Sequence, residues 1–104
     1  MDAALKKQID DMTEDELKEV IRRDYLRRLT RYRLTYDFYK KKYGMDFESF
    51  QKANILEREN YGFEVETDAQ EWELAIDGIK TVEKKLKELS GDTGSWYQSL
   101  FKNR

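Results

Sequence analysis

A chain of 104 residues with no cysteine and no histidine has no disulfide framework, no thiolate chemistry, and neither the usual zinc ligands nor the usual general base. Twenty Lys and Arg against 22 Asp and Glu leave a net charge of -2 and an isoelectric point near 5.3, so the protein as a whole does not attract a polyanion. With 40% charged residues, a mean hydropathy of -0.99 and only 23 Leu, Ile, Val and Phe together, one modest core is the most this length can build. Seven tyrosines and two tryptophans must supply much of it, because aromatic rings bury large areas with few rotatable bonds.

Residues 1–12 carry a weak amphipathic pattern, Leu5, Ile9 and Met12, that reads as a frayed or separately docked short helix. Thr13 with Glu16 then forms a capping box, each side chain satisfying a donor that the first turn leaves free. From there to Gly44 the sequence predicts one uninterrupted helix, since a residue without Cβ can take the left-handed conformation that ends a helix. Leu17, Ile21, Tyr25, Leu29, Tyr32, Tyr36, Tyr39 and Tyr43 recur every three or four residues and so share one stripe. At about 1.5 Å per residue the helix is roughly 45 Å long, more than a compact domain of this size hides along one side.

Beyond Gly44, Asp46 is the expected N-cap of a shorter helix to about Glu57, with Phe47 and Phe50 one turn apart. Gly62 breaks the pattern, and Phe63-Glu64-Val65-Glu66-Thr67 alternates with period two, the mark of a very short extended segment that is either an ordered linker or an edge meeting another molecule. Thr67 with Gln70 makes a second capping box, and Asp68 in the first turn complements the helix dipole. The helix it opens runs to Leu89 with Trp72, Ala75, Ile76, Ile79, Val82, Leu86 and Leu89 on one seam. Gly78, at its centre, costs up to about 1 kcal/mol relative to Ala; it either permits close approach of another helix or is an accident of the surface. In the tail 92–104, Trp96, Tyr97, Leu100 and Phe101 cluster as a lid over the helical core or, less simply, as a docking peptide. The organisation is therefore a short N-terminal segment 1–12, a helical hairpin domain 13–91 and an aromatic tail 92–104.

Charge is segregated. Residues 17–44 hold ten Lys or Arg against Glu19, Asp24 and Asp37, whereas residues 45–79 hold ten acids against Lys52 and Arg58. A hairpin that brings the two blocks together gains from opposite charge, and parallel self-pairing of the long helix sets like charges side by side. The expected fold is all-α: an antiparallel helical hairpin of two long amphipathic helices with a short connecting helix.

Arg22, Arg23, Arg27 and Arg31, interleaved with tyrosines, are the residues a nucleic-acid contact would use. They are spread around the helix and make no single basic face, so long stems covering the flanks of the stripe are the better reading. Asp92-Thr93-Gly94 matches the aspartic-protease triplet but follows a helix stop in a polar tail and is a chance match. Glu64, Glu66, Asp68, Glu71 and Glu73 lack calcium-loop spacing and read as a solvated acidic surface. No phosphate-cradling glycine loop and no nucleophile with its base can be assembled, so neither catalysis nor a cofactor is expected. No apolar run reaches a membrane span and the N-terminus lacks the apolar core of a signal peptide, which makes a cytoplasmic protein the expectation.

The segment Phe38-Tyr39-Lys40-Lys41-Lys42-Tyr43-Gly44-Met45-Asp46-Phe47-Glu48-Ser49-Phe50, followed by Phe63 to Asp68 and Glu71-Trp72-Glu73, is similar to a group of small helical prokaryotic proteins. In these a KKYGM-x-F-x-x-F turn precedes an acidic, tryptophan-containing helix. The resemblance covers about residues 32–89 and implies an antitoxin-like role, binding and neutralising a partner toxin. From the residues themselves, a protein-interaction module is the expected function, with a homodimer as its assembly and Tyr25, Leu29, Tyr32, Tyr36, Trp72, Ile76, Ile79, Trp96 and Phe101 as the partner-binding set.

Overall fold

The computed structural model describes residues 1–90, which form five helices: α1 (Ala3–Asp11), α2 (Glu14–Tyr43), α3 (Phe47–Lys52), α4 (Ile55–Arg58) and α5 (Phe63–Ser90). No strand occurs among the described residues. The tail with Trp96, Tyr97, Leu100 and Phe101 lies outside them, as does the Asp92-Thr93-Gly94 triplet.

Local chemistry sets the ends of α2 where the sequence placed them. Thr13 Oγ1 accepts from the backbone N–H of Glu16 at 3.1 Å, and the Thr13 hydroxyl donates to the Glu16 carboxylate at 3.2 Å. At the far end Gly44 adopts φ 69° and ψ 21°, and its N–H donates to the Lys40 carbonyl at 2.9 Å. Glu14, Asp15 and Glu16 in the first turn and Lys40, Lys41 and Lys42 in the last both complement the helix dipole. The N-terminal segment is also helical: Asp2 Oδ1 caps α1 by accepting from Ala4 and Leu5. None of its residues is buried.

α2 and α5 pack antiparallel along most of their length. Leu29 meets Val82 and Leu86, Arg33 pairs with Glu83, Tyr39 reaches Glu71, and Lys42 reaches Asp68 and Glu64, so partners on α5 descend as positions on α2 rise. The core has two parts. Leu29, Val82 and Leu86, flanked by Tyr25, Leu26, Tyr32 and Ile79, form one; Tyr39, Phe50, Val65 and Trp72, flanked by Tyr36, Tyr43 and Ile76 among others, form the second. Trp72 is wholly buried. The rings of Phe47, Phe50, Tyr43, Tyr36 and Tyr39 surround it at centroid distances of 5.2 to 6.1 Å. Burying such a ring contributes on the order of 3 kcal/mol from area alone, and the edge-to-face pairs add to it.

Three sequence expectations are corrected. Phe63 to Thr67 is not extended: it is the opening of α5, which starts at Phe63 rather than Asp68. The alternation misleads because Val65, seven residues before Trp72, already lies on the buried seam, while Phe63 faces solvent at 86% exposure. Thr67 therefore sits inside the helix and caps nothing. Asp68 is not a surface charge near a helix end but a buried member of the α2–α5 contact, 7% exposed. Finally, the connecting helix is broken in two, because Asn54 takes the left-handed conformation (φ 52°) and separates α3 from α4.

Candidate protein-interaction surface

The structure gathers seven of the sequence-derived partner-binding residues into the seam of a single chain. Tyr25, Leu29, Tyr32 and Ile79 belong to the first core cluster, and Tyr36, Trp72 and Ile76 to the second. Trp96 and Phe101 lie outside the described residues.

At the closed end of the hairpin the seam becomes polar. Lys42 Nζ lies 2.5 Å from Asp68 Oδ2 and 2.7 Å from Glu64 Oε1. The Tyr43 hydroxyl donates to the same Asp68 oxygen at 2.6 Å, and the Tyr39 hydroxyl donates to Glu71. Burial, followed by the hydrogen bond to Glu71, pushes the Tyr39 phenol up to about 12. Burial, and then Asp68, does the same to Tyr43, also to about 12. For Asp68 burial works toward a higher value, but the hydrogen bonds from Lys42 and Tyr43 outweigh it and hold the carboxyl below its ordinary range. The Lys42 ammonium is raised by its hydrogen bonds to Asp68 and Glu64. These groups cross-link α2 to α5, and each has its charge or hydroxyl answered by another member.

An open groove of about 540 Å³ adjoins this cluster, lined by Lys42, Tyr43, Met45, Ile55, Phe63 and Val65 among others. Beside it the α4–α5 turn holds Asn60 and Tyr61 at φ 55° and 54°, a conformation costly for residues with a Cβ. Among the described residues no group of three or more Asp or Glu side chains converges as a metal site would require.

The arginines divide by their neighbours. Arg22 and Arg23 both bond Glu19, at 2.7 and 3.1 Å, and Arg27 and Arg28 both reach Asp24, at 3.5 and 3.0 Å. Arg31 is exposed and outside the ion pairs described. Two acids on the same helix thus answer four of the cations by the i,i+3 and i,i+4 geometry that suits such pairs.

No family model, no curated protein and no solved structure matches this chain.

Large apolar side chains on α2 and α5 stay uncovered and belong to neither apolar stripe read from the sequence. Leu34 and Phe38 on α2 are 60% and 61% exposed, and Leu74 on α5 is 66% exposed. The same helical count that defines the seam could have found them: Phe38 stands nine residues from Leu29, about two and a half turns, so it points away from α5. None of the described helices is long and apolar enough to cross a membrane.

Proposed function

We propose that this protein is a non-enzymatic protein-interaction module, antitoxin-like in that it binds and neutralises another protein. The observation that carries the reading is the pair Leu34 and Phe38, one turn apart and mostly exposed on a helix whose opposite face packs within its own chain from Tyr25 to Tyr43. Leu and Phe side chains at i and i+4 flanked by Arg31 and Lys41 are the anchors a helix presents to a partner's groove. The seam residues support the same function indirectly, by packing α2 against α5 so that the anchors are held on one face of a docked helix.

One observation weighs against the second reading, a nucleic-acid contact through Arg22, Arg23, Arg27 and Arg31. Three of these, Arg22, Arg23 and Arg27, already face Glu19 or Asp24, and carboxylates beside them would repel phosphates. A retardation assay at two salt concentrations separates the readings, because phosphate contacts weaken steeply with salt.

The direct test is co-expression with the product of the adjacent gene. A stable complex, relief of any growth arrest that product causes, and loss of both in the Leu34→Ser, Phe38→Ser variant are expected. A neighbouring product that neither binds nor harms would overturn the antitoxin-like role.

A further inference from the structure

The hairpin has two uncovered edges, and they carry opposite charge. On α2, Leu34 and Phe38 lie between Arg31 and Lys41, which have no ion-pair partner among the described residues. On α5, Leu74 is exposed on the flank of the seam, next to Glu73 and one turn from Asp77, both likewise without an ion-pair partner among the described residues. Leu34 and Phe38 lie on the side of α2 away from α5, and Leu74 lies on the flank of α5, so the basic edge and the acidic edge are two separate exposed surfaces of one molecule.

We infer that a second copy of this chain docks its α5 edge onto the α2 edge of the first, Leu74 packing against Leu34 and Phe38 with Asp77 and Glu73 facing Arg31 and Lys41. The complementary surface is thus present on the chain itself. Contact between two like edges sets Arg31 and Lys41 against their own copies, or Glu73 and Asp77 against theirs, and is disfavoured. A contact between unlike edges is heterologous: every added copy leaves one basic and one acidic edge free, so assembly either closes into a ring or continues. The inference rests on reading the exposed edges as protein-binding surfaces, but the purified chain alone decides it, so it stands or falls separately from any complex with a different protein.

The experiment is light scattering on the purified full chain over a concentration series. At low salt the mean mass should rise above the 12.6 kDa of one copy as concentration increases. It should fall back in 1 M salt, where the screening length shrinks to about 3 Å. The Leu34→Ser, Phe38→Ser variant and the Leu74→Ser, Asp77→Ser variant should each stay at the mass of one copy. Mixed in equal amounts, they should give a complex of about twice that mass and no larger, since the first retains an acidic edge and the second a basic one. Wild-type protein that remains a single copy at every concentration overturns the inference without recourse to the variants. So does a mixture that stays monomeric while the wild type associates, because the contact would then join like edges.

Discussion

The ring of Tyr32 lies against the backbone of Gly78, so close that a Cβ added at Gly78 would fall 2.6 Å from Tyr32 Cε2 and Cζ. The glycine is therefore the place where α5 lets a tyrosine of α2 lie flat across it. On helix propensity alone Gly78→Ala would gain about 1 kcal/mol. Overpacking a seated ring typically costs about 1–3 kcal/mol, so a net loss of about 1 kcal/mol is expected. In a Tyr32→Ala background the obstacle is gone and the same substitution should stabilise. Urea melts of the two single variants and the double variant measure this coupling, and additive effects would show that the ring does not rest there.

Gly44 is the opposite case. Nothing lies within 4 Å of a Cβ built on it, but its φ of 69° is left-handed. The cost of Gly44→Ala is then conformational, about 1 kcal/mol, and Gly44→Asn should cost less because Asn tolerates that region. Thermal melting of the two variants gives the order; an equal loss for both would point to packing instead.

Trp72 combines full burial with an indole N–H that has no hydrogen-bond partner among the described residues. Truncation by Trp72→Ala should cost about 3–5 kcal/mol. Trp72→Phe should cost roughly half as much or less, because it also removes a buried donor whose lack of a partner costs about 1–3 kcal/mol. Denaturant midpoints of both variants check the ratio.

The polar end of the seam predicts how stability follows pH. Tyr39 and Tyr43 have folded values raised from 10.0 to about 12, so the folded state holds protons that the unfolded chain has lost. Their contribution is complete below pH 10 and disappears as pH rises toward 12. Asp68 works the other way: its folded value is lowered, so its contribution is complete above the ordinary carboxylate range and is lost as pH falls through the depressed value. Melting temperature should thus decline between pH 10 and 12, and the decline should shrink in Tyr39→Phe and Tyr43→Phe. A flat alkaline profile in the wild type would contradict the buried hydrogen bonds.

The features legible in the sequence are those with a local cause. Thr13 and Gly44 mark the ends of α2 because capping depends on residues within one turn, and the hairpin follows from two apolar stripes with opposite charge around them. The start of α5 at Phe63 is not legible because two alternating residues on either side of Val65 satisfy a strand and a helix equally well; only packing of Val65 in the cluster around Trp72 decides between them. The role of Asp68 was hidden for the same reason, since nothing near it in sequence announces Lys42 and Tyr43, 26 and 25 residues away. Leu34 and Phe38 carry no signal of their own, because helical periodicity marks the stripe that is buried and the surface left for a partner is its complement.

The most direct test of the central claim, that α2 and α5 close antiparallel on an aromatic seam, is a proton NOE spectrum of the folded chain. Cross-peaks from the Tyr32 ring to the Gly78 α-protons, and from the Trp72 indole to the rings of Phe47, Phe50 and Tyr43, are expected together. A helical protein in which the Tyr32 and Trp72 rings show contacts only to residues of their own helices would contradict it.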